Sequence, residues 1–470
     1  MNQKKFYLVS LGCAKNTVDS ESMASLLQGA GYTPTERAGE AGLLIVNTCG
    51  FIGPARQESF EVLGELAGKK RRGQLLIAAG CLTQRYGEMV VQQVPGIDGI
   101  LGTRRWMDIV DLVQQLNGRK RDDGGYLKPV YHLPESAATV GADEKGVMRS
   151  ARQGGSAYIK IADGCRRPCA FCAIPLIKGT AVSRPLDAII QEAHALSDNG
   201  VQEILLIAQD TTDYGHDLGI KDGLALLLER LTAEVPTLPW IRVLYAYPGY
   251  VTDRLMEVMA SRPQVVAYLD MPLQHAHPMT LRRMRRPANM DWVHKTLAKI
   301  RTTIPGLALR TTFIAGYPGE TEEEFQTLLD FVEEIRFDHV GVFTFSFEPG
   351  TTSEPLGDPI PAEVKEERLQ RLVAAQEKIS LARNQSFVGQ VQPVLIEGFN
   401  EGISVGRAYH DAPEIDGLVF VEGEAQVGQI VPAQITGAMV HDLTARLVTP
   451  QPAKHTILER RPVQRRQKPG

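Results

Sequence analysis

Three thiols stand within eight residues at Cys165, Cys169 and Cys172, a C-x3-C-x2-C spacing that follows the apolar run 157 to 162. Close spacing lets one loop present three soft thiolate ligands to one metal centre. Structural zinc closes a tetrahedron with four side chains, and bacterial ferredoxin loops carry a fourth cysteine. Three thiolates on a cubane 4Fe-4S cluster leave one iron without a protein ligand. Such an iron is free to bind a small chelating molecule. Two other arrangements use the same residue types: a zinc loop that borrows a distant fourth ligand, and a redox pair with a spare thiol.

Phe171 directly precedes the last of these cysteines, and a strand-like run leads into the first. With those features the octet resembles the signature of the radical S-adenosylmethionine superfamily. The resemblance implies that S-adenosylmethionine chelates the open iron through its amino and carboxylate groups, and that one electron from the cluster cleaves its sulfonium to a radical. Chemistry of that kind belongs to the cofactor, and the protein supplies position and electrostatics.

The other three thiols, Cys13, Cys49 and Cys81, are dispersed. Continuous apolar runs at 6 to 11, 42 to 46 and 74 to 79 alternate with helical stretches, which predicts a parallel sheet covered on both faces. Each cysteine falls just past the C-terminal end of one predicted strand. Loops at that edge of an open parallel sheet share one crevice, where ligands bind. Three thiols distant in sequence thereby converge and suit a second three-ligand iron-sulfur cluster. The competing reading is that each is a buried cysteine acting as a small hydrophobe.

The central stretch repeats a strand and a helix six times, with strands ending at Ile161, Ile207, Leu244, Leu269, Phe313 and Phe345. Six units predict a partial, open relative of the eightfold barrel, whose chemistry sits at the C-terminal strand ends. Polar side chains gather there: Gln209 and Asp210, then Tyr245 and Tyr247, then Gln274 and His275, with Arg310 inside the fifth strand. Gln209, Asp210, Gln274, His275 and Arg310 are the cofactor-binding candidates, although His275 by itself reads as a satisfied structural histidine before it reads as a catalyst. Thr321 and Glu324 form a capping box ahead of Phe325 and Leu328. The glycines just before it also let backbone approach a cofactor.

Residues 362 to 387 read as one charged helix. Beyond it, regularly spaced glycines and short alternating runs predict a small antiparallel β-barrel. Between 384 and 445 there are eight acids and a single base, Arg407. Nucleic acid phosphates are bound by basic surfaces, so the acidic barrel points to a basic protein partner. From Arg446 to the end the sign reverses, with seven bases against Glu459. This proline-bearing tail reads as disordered.

The domain plan is therefore 1–117 for the N-terminal α/β domain, 118–155 for a linker and 156–383 for the partial (β/α)6 barrel. A β-barrel over 384–449 and a basic tail over 450–470 complete it. The 470 residues suffice for about three domains. The net charge of −4 says nothing about partners. No run approaches the roughly 18 apolar residues of a membrane span, and no signal peptide is evident. A cytosolic setting, without disulfides, is expected.

Up to about residue 449 the chain resembles the methylthiotransferase family, which joins an N-terminal three-cysteine domain, a radical S-adenosylmethionine barrel and a TRAM β-barrel. The matching phrases are 10 to 16 (SLGCAKN), 47 to 52 (NTCGFI), 172 to 175 (CAIP), 208 to 212 (AQDTT) and 271 to 275 (MPLQH). Residues 406 to 417 (GRAYHDAPEIDG) resemble the branch that modifies an aspartate of the twelfth small-subunit ribosomal protein; the other branch modifies an adenosine of transfer RNA. Arg166 and Arg167 depart from the small polar residues usual after the first cluster cysteine. The resemblance implies two 4Fe-4S clusters, one held by Cys165, Cys169 and Cys172 and one by Cys13, Cys49 and Cys81. It implies hydrogen removal from the aspartate β-carbon and delivery of a methylthio group, with separate sulfur and electron donors. The alternatives are a transfer RNA methylthiolase and, further off, a non-catalytic iron-sulfur scaffold.

Overall fold

A computed structural model describes residues 2–119, 128–134 and 144–448. The basic tail and much of the stretch read as a linker lie outside the described residues. The N-terminal sheet contains β1 (Asn2–Ser10), β2 (Thr33–Pro34), β3 (Ala41–Thr48), β4 (Leu75–Gly80), β5 (Gly99–Gly102) and β6 (Val130–His132). Their order is β2-β1-β3-β4-β5-β6, every pair parallel. All eight residues of β3 are buried, as an apolar strand covered on both faces must be.

The central sheet begins with β7 (Ser150–Gln153) and β8 (Ser156–Lys160), and a two-residue ladder of β9 (Ala162–Asp163) and β10 (Val182–Ser183) follows. It continues with β11 (Glu203–Ile207), β12 (Trp240–Val243), β13 (Val265–Asp270), β14 (Ala308–Ala315) and β15 (His339–Thr344). The order β15-β14-β13-β12-β11-β8-β7 is parallel apart from the β7 edge, so the sheet is the expected open form. Intervening helices bury one stripe each: Leu224, Leu227, Leu228 and Leu231 of helix Gly223–Glu234 are all within the core. Burial of each such leucine contributes about 1.5 to 3 kcal/mol. The capping box of Thr321 and Glu324 opens helix Glu322–Ile335.

The stretch read as a linker departs from expectation. It supplies β6 to the edge of one sheet and β7 to the edge of the other. Strands of three and four residues at an edge are held by backbone pairing and leave too little periodicity to detect.

Helix Ala362–Phe387 leads to a closed barrel of β16 (Val391–Asn400), β17 (Ile403–Ala408), β18 (Val419–Glu422), β19 (Ile430–Ala438) and β20 (Leu443–Leu447). It is antiparallel except where β18 pairs with β20 in parallel. The loop after β17 packs against residues of the central sheet. Asp416 accepts from Tyr268 at 2.6 Å and from Arg310 at 3.3 Å, Arg407 pairs with Glu203 at 2.7 Å, and Arg242 donates to the Tyr409 carbonyl at 2.7 Å. These contacts use part of the barrel's charge internally. Glu401, Glu414, Glu422 and Glu424 remain exposed; of its two arginines Arg407 is buried and Arg446, on β20, is exposed.

Candidate active site

Each dispersed cysteine sits where a strand hands over to a helix. Cys13 is the N-cap residue of helix Ala14–Gly29, Cys49 follows β3, and Cys81 opens helix Cys81–Gln93 directly after β4. Ser59 fixes Cys49 by accepting from its N–H and donating to its carbonyl, both at 3.0 Å. Gly12 has φ +89°, and a Cβ there would lie 2.9 Å from the Cys49 sulfur. Only glycine suits that position.

The second cysteine loop runs from β9 to the short helix Ile174–Lys178. Cys165 N–H donates to the Gly179 carbonyl at 3.0 Å, and Ala170 N–H donates to the Met284 carbonyl at 2.9 Å. The Cys165 sulfur accepts from the Arg167 N–H at 3.4 Å.

All six cysteines line one cavity of about 440 Å³, and none forms a disulfide. Among the described residues only His339, His410 and Asp411 bring three potential ligand atoms within 4.8 Å of one another; neither cysteine triplet does. Two thiolates bound to one zinc ion at about 2.3 Å lie no more than about 4.6 Å apart. Neither triplet is thus drawn together around a single ion, and soft thiolates are the donor type that iron-sulfur clusters take. The His339 group, in contrast, is already joined by its own hydrogen bonds, with His339 Nε2 2.7 Å from the His410 carbonyl.

Gln209, Asp210 and Gln274 line the cavity, as do Tyr245 and Tyr247. His275 and Arg310 do not. His275 is fully buried, 3.4 Å from Glu320, and its Nδ1 accepts from the His277 N–H at 2.9 Å. Arg310 pairs with Asp270 at 3.1 Å and with Asp416.

Two non-glycine residues of the cavity wall hold left-handed backbone, Tyr245 at φ 63° and Gln274 at φ 76°. Such conformations persist only where the surroundings hold them, and they cluster at functional sites. Tyr245 N–H donates to Asp270 at 3.2 Å. Gln274 N–H donates to the Thr312 carbonyl at 2.8 Å, while its own carbonyl accepts from Ile314.

Sequence reasoning assigned no role here to Lys15, Lys178 or Arg286, all of which line the cavity. Arg286 lies 3.5 Å from the Cys169 sulfur, with its guanidinium 4.2 Å from the Tyr247 ring centroid. Nothing in its local sequence gives that address. Arg167 stacks over Tyr250 at 3.6 Å and pairs with Asp210 at 2.5 Å, and Arg166 pairs with Asp213 at 2.6 Å. The unusual arginine pair is thus anchored to the loop after β11. Burial pushes the Asp210 carboxyl up despite the pull of Arg167.

Burial also pushes the thiols of Cys81 and Cys172 up to about 12 and that of Cys165 up to about 11. Cys13 goes the other way. Desolvation opposes its ionisation, but Lys15, the Asn16 backbone N–H and Lys178 together outweigh it and lower its pKa. A bound cluster iron deprotonates its thiols outright.

Two bridges hold the sheets around the cavity. Asp19 of the N-terminal helix pairs with Lys178 at 3.1 Å and with Lys160, within a buried group that also holds Asp163 and Arg149. Glu348 takes Arg85 at 2.6 Å and Arg56 as well.

An open parallel barrel with three thiols on the loop after its first parallel strand defines a radical S-adenosylmethionine enzyme. Residues 159–332 match the Radical SAM superfamily, 388–448 the TRAM domain, and 5–102 a group described as Uncharacterized protein family UPF0004. The chain is similar to "Ribosomal protein uS12 methylthiotransferase RimO" of Chloroflexus aurantiacus, 48% identical over 93% of this chain and 98% of that one. The protein of that name in Roseiflexus is 46% identical over 94% and 97%. The chain belongs to this methylthiotransferase family. Among solved structures, the radical S-adenosylmethionine methyltransferase TsrM from Kitasatospora setae shares the fold. Its TM-score is 0.56 at 14% identity, over 84% of this chain and 81% of that one.

Proposed function

We propose that this protein methylthiolates the β-carbon of an aspartate in ribosomal protein uS12. The observation that carries the reading is the single cavity shared by six thiols, three at strand ends of the N-terminal sheet and three on the loop after β9. Cys165, Cys169 and Cys172 hold a 4Fe-4S cluster with one iron left for S-adenosylmethionine, and Cys13, Cys49 and Cys81 hold a second cluster. When bound, these groups supply hydrogen abstraction and a methylthio group within one enclosure.

The chain's own residues do the rest. Gln209, Asp210 and Gln274 line the space that the cofactor enters. The buried bridges of Asp19 and Glu348 keep the two triplets facing each other. Phe51, Phe171 and Ile174 make much of the wall apolar and exclude water. The exposed carboxylates Glu401, Glu414, Glu422 and Glu424 of the terminal barrel favour a basic protein over nucleic acid. An electron donor and a sulfur donor are required as partners. Among the described residues no helix is long and apolar enough to cross a membrane.

The test is the intact mass of uS12 after anaerobic incubation with reconstituted enzyme, S-adenosylmethionine, sulfide and reductant. One methylthio group in place of hydrogen on one aspartate is the expected result. No gain on uS12, with the same preparation modifying transfer RNA, would assign the chain to the other branch. Cys49→Ala enzyme that still methylthiolates at the normal rate would remove the second cluster from the scheme.

A further inference from the structure

Four cationic side chains line the cluster cavity, and three of them are engaged. Arg167 is paired with Asp210 and Asp213, Lys178 with Asp19 and Asp163, and Arg286 with the Cys169 sulfur and the Pro272 carbonyl. Lys15 differs. Among the described residues it has no carboxylate partner; its Nζ rests 3.2 Å from the centroid of the Tyr245 ring, and its charge also acts on the neighbouring Cys13 thiol. An ammonium carries three N–H donors, and one ring face does not satisfy them all. Lys15 therefore brings a charge with spare donors into a largely apolar enclosure.

We propose that Lys15 receives the side-chain carboxylate of the target residue and so selects an aspartate. This rests on the reading that the substrate is an aspartate of uS12. The carbon to be modified is bonded directly to the carboxyl carbon. A partner for that carboxylate must then lie inside the cavity with the clusters, because an exposed basic group at the mouth is too far away. A carboxylate moved from water into an apolar site without a cation is strongly disfavoured. Lys15 stands two residues from Cys13, on the side of the cavity built by the N-terminal sheet. A carboxylate held there leaves the adjacent carbon facing the space between the two thiol triplets.

Tyr245 fixes the position of the ammonium. Its ring is aimed by the left-handed backbone at φ 63°, which the Asp270 carboxylate holds through the Tyr245 N–H at 3.2 Å. Tyr245 and Asp270 are positioning residues for Lys15.

The experiment compares uS12 with its target aspartate against uS12 carrying asparagine there, using wild-type, Lys15→Gln and Lys15→Arg enzymes. Product mass and the affinity of labelled uS12 for unreduced enzyme are both measured. Wild-type enzyme is expected to favour aspartate by at least about tenfold in kcat/KM, and Lys15→Gln to bring that ratio towards one. Lys15→Arg should restore part of the preference. Retention of the full aspartate preference by iron-replete Lys15→Gln would overturn the inference, even if the potential of the second cluster moved. Should Lys15→Gln fail to hold iron, the wild-type comparison decides, because equal use of asparagine and aspartate excludes a carboxylate-selecting cation. Wild-type enzyme that modifies neither protein would instead defeat the uS12 reading itself.

Discussion

Lys178 and Asp19 are 159 residues apart in sequence and 3.1 Å apart in space, both fully buried. Asp19 belongs to the first helix after β1, and Lys178 ends the short helix that follows Cys172. The pair joins the two cysteine-bearing units at the point where their thiols meet. Lys178→Met removes the donor to both Asp19 and Asp163 and leaves these two carboxylates to Lys160 and Arg149 alone. The loss of those buried hydrogen bonds should cost about 1 to 3 kcal/mol. Chemical denaturation of the cluster-free protein checks this, and a loss below about 1 kcal/mol would show that Lys160 and Arg149 suffice to hold Asp19.

Gly12→Ala tests the packing around Cys49. The added methyl would stand 2.9 Å from the Cys49 sulfur on a residue with φ +89°. On the two-cluster proposal, displacement of that sulfur should reduce bound iron from about eight to about four per chain, one cubane being lost. Iron analysis after anaerobic reconstitution, alongside the Mössbauer or EPR signal of the remaining cluster, measures it.

Arg286 donates towards the Cys169 sulfur. Hydrogen bonds and charge at a cluster thiolate stabilise the reduced form. Arg286→Gln is expected to make the potential of the cluster held by the second cysteine loop more negative, and Arg286→Lys to recover part of the difference. A potentiometric EPR titration decides the matter, and identical midpoints in all three proteins would assign Arg286 a packing role over Tyr247.

His339 sets the pH response of the junction between the central sheet and the terminal barrel. Burial lowers the pKa of its imidazolium, but Asp416 and Asp411 outweigh that and raise it above the ordinary value of 6.5. A group with a raised folded pKa contributes stability that is complete below its unfolded pKa and is lost as pH rises through the folded value. The stability of wild-type protein relative to His339→Gln should accordingly be greatest below pH 6.5 and shrink as the solution becomes alkaline. Denaturation midpoints across that range report it; a constant difference would mean that His339 is neutral throughout.

Much of this protein was legible in the order of its residues. The alternation of apolar runs and helices placed Cys13, Cys49 and Cys81 at successive strand ends, and the parallel order β1-β3-β4 brings those ends together. Local rules also identified the capping box at Thr321 and the helix Ala362–Phe387, because both depend on neighbours within one or two turns. Charge counting found the acidic barrel. It did not find that Asp416 and Asp411 are buried against the central sheet, since burial depends on what packs across from them.

Tertiary structure alone decided the cavity's polar wall. Lys15 and Arg286 are brought to it from chain segments about 270 residues apart, and neither carries a local periodic or capping signal. His275 follows β13 and Arg310 is the third residue of β14, and neither side chain reaches the cavity: they turn to Glu320 and to Asp270. Strand position specifies where a residue stands along the sheet, whereas the direction of its side chain depends on local backbone and on distant partners. The left-handed turns at Tyr245 and Gln274 belong to the second kind of information: neither residue prefers them, and hydrogen bonds from neighbouring strands hold them.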